Sequence, residues 1–324
     1  MRMLLFRLAL NLLIIASTIG SSQEAVLDHQ NHDDDPQTVS VITYNVQFLP
    51  GIASSQNERG SPEYRANRIA QEVSRFDIVA LQETFHKQYR DQIINQVREA
   101  WAGTLNMVVS PKPANRFTNG GCLLLTRLPV LDSHSIVFEH YSTPLQYGFR
   151  ADGFAAKGVI HARLARAPDE PEAFIDVYVT HLEARADDLR PLQYEELARF
   201  VKETSDPNSP VLLLGDFNTR GTLEYSDDPK SQYAVLMDKL SETRPHSRVV
   251  DVWSLLMGRA RGGTSDQESS EVGNRIDYIL LGNPNPPAAH LKPVSINVNT
   301  YQDPKVGALS DHNAVEAEFE WSSK

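Results

Sequence analysis

A mixed α/β architecture, with β-sheets flanked by helices, is what this sequence predicts, and three observations carry it. Short apolar runs rich in β-branched residues recur along the chain, as buried strands require. Segments with apolar residues at i, i+4 and i+7 separate several of them, the spacing of one helix face. Other strand-like runs follow one another with no helix between, which favours mixed sheets over one parallel sheet. A length of 324 residues allows one large domain or two ordinary ones, with ample chain for a core.

The first strand is Val39 to Val46. Ser61-Pro62 then sets a capping residue before a first-turn proline, and Ile69, Val73 and Phe76 give the helix that follows an apolar face. Asp77 ends that pattern, and Ile78 to Leu81 is a short buried strand leading into Gln82-Glu83. Ile93, Val97 and Trp101 mark a second helix, and Leu123 to Thr126 a further strand. Phe154 to Leu164 and Phe174 to Leu182 read as a strand pair joined by the turn-rich Ala165 to Pro171. Asp188 to Glu203 reads as a helix with Pro191 in its first turn and Leu197, Phe200 and Val201 facing the core. Val211 to Leu214 is a buried strand running into Gly215-Asp216, and Ile276 to Leu281 and Ala314 to Phe319 complete the set. Two polar stretches, Gly258 to Asn274 and Gly282 to Ala308, read as long functional loops.

The two ends of the composition differ. Arg2 precedes an apolar run from Met3 to Gly20 that closes on small residues, the pattern of a secretory signal peptide over residues 1–22. The uninterrupted apolar part is too short to span a bilayer comfortably. Residues 23–38, with Asp33, Asp34 and Asp35, read as a disordered acidic linker, which places the catalytic domain at residues 39–324. The expected location is therefore periplasmic or extracellular. The formal net charge is −11, which argues against a broad basic face gripping nucleic acid but leaves nucleic acid open as a substrate. Arg116, Arg220, Arg244, Arg248, Arg259 and Arg261 are scattered and outweighed by acids. Cys122 is the only cysteine, so no internal disulfide can form, and its apolar surroundings mark it as a buried strand residue. The chain carries no P-loop, no zinc-binding Cys/His pattern and no serine-nucleophile elbow. A monomer without a stable protein partner is expected.

Six polar motifs close the apolar runs: Thr43-Tyr44-Asn45, Gln82-Glu83, Thr180-His181, Gly215-Asp216-Phe217-Asn218, Arg275-Ile276-Asp277-Tyr278 and Ser310-Asp311-His312. Cleaving a phosphodiester near neutrality needs a cation to withdraw charge, an activated water, donors for the transition state and help for the departing oxygen. Glu83 suits a hard divalent cation such as Mg²⁺, with Mn²⁺ making similar demands; read locally, it equally suits a cap for the next helix. His312 suits a general base, with Asp277 holding its far nitrogen and Asp311 free to join a metal shell. His181 can donate to the phosphate or the leaving oxygen, or be a satisfied structural residue. Asp216 can orient the attacking water and Asn218 can donate to a phosphoryl oxygen; in isolation the same residues make an Asx turn. Asn45 offers a neutral ligand or donor. The other histidines (His29, His32, His86, His134, His140, His161, His246 and His290) show no metal-ligand spacing.

In this order the motifs resemble the endonuclease/exonuclease/phosphatase superfamily, over residues 39 to 320. The resemblance implies a four-layer DNase I-like sandwich of two packed mixed β-sheets flanked by helices, with the site at one edge and the roles given above. The segment Arg150 to Leu164, with Asp152 and Lys157-Gly158, is similar to neutral sphingomyelinases, as are Thr180 to Ala184 with Arg190, Gln193 and Phe200, and Asn119 to Val130. Asp152 and Lys157 are accordingly expected at the substrate phosphate. This finer resemblance implies a Mg²⁺-dependent phosphodiesterase acting on a phospholipid at a membrane surface, with sphingomyelin the leading substrate and a DNA or RNA endonuclease the alternative. The chain departs from secreted bacterial sphingomyelinases in lacking their aromatic-tipped hairpin, since Tyr301 is the only aromatic between residues 282 and 308, and in lacking a cysteine pair.

Overall fold

The computed structural model describes residues 37–322, apart from 51–59, 149–152, 154, 245, 266–269 and 286–288. The expected signal peptide and nearly all of the expected linker lie outside the described residues. The chain runs β1 (Gln37–Phe48), α1 (Pro62–Val73), β2 (Ile78–Thr84), α2 (Lys87–Ala100), β3 (Asn106–Val109), β4 (Leu123–Thr126), β5 (Val130–Val137), α3 (Pro144–Tyr147), β6 (Gly158–Ala165), β7 (Phe174–His181), α4 (Arg190–Thr204), β8 (Val211–Asp216), α5 (Leu223–Ser226), α6 (Gln232–Ser241), β9 (Val250–Asp251), α7 (Val252–Met257), β10 (Asp277–Gly282), β11 (His290–Asn299), β12 (Gln302–Asp303), β13 (Gly307–Ala308) and β14 (Ala314–Ser322).

Two six-stranded sheets form, one in the order β11-β14-β1-β2-β4-β3 and the other β5-β6-β7-β8-β10-β9. β1 and β2 are parallel, as are β7 and β8, while the other pairs in these sheets are antiparallel, so both sheets are mixed. Period-2 alternation explains the layering. Val39, Val41, Ile78, Ala80 and Leu124 face Ile160, Val177, Val179, Leu212, Leu214 and Ile279 in the core between the sheets. Their sequence neighbours point outward. Ile42, Tyr44, Val79 and Leu81 pack under Ile69, Val73, Ile93 and Val97 of α1 and α2. Tyr178, Leu213 and Leu280 pack under Leu197, Val201, Leu236 and Leu240 of α4 and α6. Strands buried on both faces must be apolar at every position, and that is why they read as unbroken runs. The four-layer sandwich of two packed mixed sheets flanked by helices is the fold.

The structure adds β3, β5, α6 and α7 to the sequence reading and departs from it elsewhere. Ser61 precedes α1 in a left-handed conformation (φ 51°) with no side-chain cap bond, leaving Pro62 as the start signal. The strand expected from Phe154 begins at Gly158. Within the expected loop of residues 282–308, β11 pairs with β14 from His290↔Ser322 to Asn299↔Ala314. The exposed face of this edge strand and Pro293, beside which the register shifts, hide its alternation.

Gly215 shows how closely the site end is built. Its φ is +142°, and an added Cβ would come within 2.0 Å of the Thr180 carbonyl on the neighbouring parallel strand. Gly215→Ala is expected to destabilise the protein by about 1–3 kcal/mol, the usual range for overpacking, and to lower activity by displacing Asp216. A calorimetric scan with no change in melting temperature would contradict this.

Candidate active site

Register brings the motifs together. Asp216 at the end of β8 lies opposite His181 at the end of β7 and opposite Asp277 at the start of β10. One sheet therefore presents His181, Asp216 and Asp277 in a row across three adjacent strands. From the other sheet, Asn45 pairs with Gln82, and a register shift after Asn45 turns the backbone. Glu83 follows in a left-handed conformation (φ 58°), which carries its side chain out of the strand's alternation. The loop before β14 supplies Asp311 and His312.

Hydrogen bonds tie these parts into one cluster. Asn45 Nδ2 donates to Asp216 Oδ2 (3.0 Å), joining the two sheets. The Asn218 backbone N–H donates to Asp216 Oδ1 (2.9 Å), and Asn218 Nδ2 donates to the Leu182 carbonyl (3.1 Å). His312 Nδ1 bonds Asp277 Oδ2 at 2.8 Å, so whenever the ring is neutral its proton sits on Nδ1 and Nε2 is left to accept. That Nε2 lies 3.9 Å from Asp216 Oδ2. His181 Nε2 lies 3.5 Å from the same oxygen and 3.9 Å from Glu83 Oε1. Lys157 is buried, donates to the Leu182 carbonyl (2.8 Å) and sits 3.2 Å from His181 Nε2. Asp152 lies outside the described residues, so its expected place at the substrate phosphate is not part of this geometry.

Two supporting groups, Gln47 and Thr264, carried no sequence signal of their own. Gln47 donates from Nε2 to Asp311 Oδ2 (2.6 Å) and from its backbone to Asn45 Oδ1 (3.2 Å). Thr264 accepts at Oγ1 from the N–H groups of Ile276 and Asp277 (3.0 and 3.1 Å), fixing the start of β10. It lies in the polar stretch Gly258 to Asn274, where a functional loop was expected. Arg275, which opens the Arg275-Ile276-Asp277-Tyr278 motif, is buried against Asp251.

The electrostatics are those of crowded acids. Burial, reinforced by the charge of Asp311, pushes Glu83 up to about 7. Burial, then Asp277, raises Asp216. Burial alone would lower His312, but Asp277 and Asp216 outweigh it and hold the ring well above its ordinary value. Burial drives the Cys122 thiol up to about 12, which removes it as a nucleophile. Glu83 and Asp311, hard oxygen donors close enough for the charge of Asp311 to raise Glu83, suit a divalent cation, and Asn45 adds a neutral oxygen beside them. Ligand atoms of Asp216, Asp277 and His312 also lie within 4.8 Å of one another, a second grouping with metal-binding chemistry.

A family model described as the Endonuclease/Exonuclease/phosphatase family matches residues 42–312. Sphingomyelinase C of Bacillus cereus is 22% identical over 256 residues, covering 70% of this chain and 69% of that protein. Sphingomyelinase C from Streptomyces griseocarneus has a similar structure, with a TM-score of 0.59, 18% identity and coverage of 87% of this chain and 99% of that one. A beta toxin variant from Staphylococcus aureus with bound magnesium ions gives a TM-score of 0.62 at 17% identity, over 87% of this chain and 99% of that one. D. rerio TDP2 complexed with a single-strand DNA product gives 0.59 at 17% identity, over 88% and 99%. These solved structures share the fold. The chain belongs to the endonuclease/exonuclease/phosphatase family and is a hydrolase of phosphoric diesters.

Proposed function

We propose that this protein is an exported, Mg²⁺-dependent phospholipid phosphodiesterase, with the hydrolysis of sphingomyelin to ceramide and phosphocholine as its leading reaction. The observation that carries the reading is the convergence of the His312–Asp277 couple, Asp216, His181 and Glu83 at one end of both sheets. The likeness to sphingomyelinase C supports the lipid substrate. The apolar leader over residues 1–22 supports export. Among the described residues no helix is long and apolar enough to cross a membrane.

Glu83, Asp311 and Asn45 would hold the cation. When bound, it draws charge from a non-bridging phosphoryl oxygen. His312 Nε2 and Asp216 Oδ2, 3.9 Å apart, are too distant to bond each other and close enough to contact one water oxygen between them. His312 takes the proton of that water, and Asp277 stabilises the imidazolium that results while fixing the ring's orientation. His181, backed by Lys157, faces the phosphate as a donor to the developing charge or the departing alkoxide. Asn218 is fixed by two bonds beside Asp216 and completes the donor set.

The mature protein, residues 24–324, is expected to release phosphocholine from sphingomyelin vesicles in Mg²⁺ and not in EDTA. Nicking of plasmid DNA by protein that leaves the vesicles intact would replace this reading with the endonuclease alternative.

A further inference from the structure

A cleft of about 170 Å³ opens beside Asn218, lined by Ala184, Asp187, Arg190, Arg220, Ser265, Asn274 and Ile276. Asn218 is the wall it shares with the catalytic cluster, so a diester held at Asp216 and His312 places one of its substituents there. The lining is polar and a poor surface for an acyl chain, which assigns the cleft to the head group.

Its charge is set by one residue. Arg190 is buried and spends its donors on Gln232 Oε1 (2.9 Å), the Glu183 carbonyl (3.1 Å) and the Asp187 carboxylate (2.9 Å), so Arg190 and Asp187 cancel. Arg220 is different. It is exposed, donates to Tyr225 Oη (2.9 Å) and lies over that ring at 5.6 Å, with no carboxylate partner among the described residues. Other scattered arginines are engaged elsewhere: Arg248 with Asp238, Arg259 with Asp227 and Arg261 with Glu224. Among the described residues, the cleft thus carries one guanidinium without a carboxylate partner, two amides and a hydroxyl, and no aromatic ring lines it. Quaternary ammonium groups are recognised by aromatic cages and repelled by a neighbouring cation.

We propose that Arg220 is a specificity-determining residue that selects a head group whose alcohol is uncharged and hydroxyl-bearing, as glycerol is in phosphoglycerol, over the choline of phosphocholine in the cleft beside Asn218. This rests on the phospholipid phosphodiesterase reading and revises its leading substrate: sphingomyelin is cleaved, and a ceramide phosphoglycerol is cleaved better. A guanidinium can donate to glycerol hydroxyls without deprotonation or a second charge.

The test compares kcat/KM for sphingomyelin and ceramide phosphoglycerol in mixed micelles with Mg²⁺, for the wild type, Arg220→Gln and Arg220→Glu. Wild type is expected to prefer phosphoglycerol by about tenfold, the worth of one good charge-assisted bond. Arg220→Gln should remove that preference mainly through KM, and Arg220→Glu should reverse it in favour of phosphocholine at an unchanged melting temperature. Equal losses on both substrates, or no change on either, would overturn the assignment. Calorimetric binding of glycerol phosphate and of phosphocholine runs alongside. If no lipid is turned over but Arg220→Glu still inverts the binding preference, the phosphodiesterase reading fails and the cleft assignment stands. If binding is indifferent to Arg220, the cleft assignment fails whatever the turnover.

Discussion

His312→Ala is expected to reduce kcat by about 10³- to 10⁴-fold, the upper part of the range for loss of a general base, with little change in KM. The ring is partly exposed, and its recorded side-chain partner is Asp277, so the fold should survive the change. Asp277→Asn gives the informative comparison. It keeps the shape but can donate to Nδ1, which favours the tautomer with Nε2 protonated and useless as an acceptor. Both variants should therefore lose kcat, and the double variant should lose little more than either single one, because the two residues act as a unit. Multiplicative losses in the double variant would show that Asp277 acts on something other than His312.

Glu83→Gln should separate metal binding from stability. It removes a charged oxygen and is expected to weaken Mg²⁺ binding by at least about 100-fold, the upper end of what loss of an outer partner costs at metal sites. In the metal-free protein its effect has the opposite sign. Burial and Asp311 raise the Glu83 carboxyl from its ordinary 4.5 to about 7. A raised carboxyl means that the folded state binds more protons than the unfolded one, so stability falls as pH rises through this window. The apo wild type should thus melt lower at pH 8 than at pH 5 through this group, and apo Glu83→Gln should lack that component and melt higher at pH 8. The same proton competes with the cation, so wild-type Mg²⁺ affinity should increase between pH 6 and pH 8. Titration calorimetry showing equal affinity across that range, or an apo Glu83→Gln protein less stable at pH 8, would count against Glu83 as the ligand.

The parts of this molecule that could be read in the sequence are those where burial is complete. β2, β4, β8 and β10 are covered on both faces, so each is an apolar run, and the first polar residue after or before it is visible as a break. Glu83, Asp216 and Asp277 were legible for that reason. β5 and β11 are edge strands with mostly exposed side chains, and Asp132, His134, Lys292 and Pro293 erase their alternation. Gln47 was illegible because its value lies in a contact with Asp311, which is 264 residues away and met only once β1 bends. Thr264 works through two backbone N–H groups that local sequence does not point to. The cleft charge could not be read either: six scattered arginines look alike until their carboxylate partners are known.

β1 lies between β14 and β2 in its sheet, and Asp311 and His312 immediately precede β14. That order has a temporal meaning. While the chain is being made, the strand carrying Asn45 has no partner on one side, and the segment bearing Asp311 and His312 does not yet exist. A nascent chain can therefore hold most of its hydrophobic interior and still have no complete site. On the proposed function, the site becomes complete only when β14, which follows His312, pairs with β1.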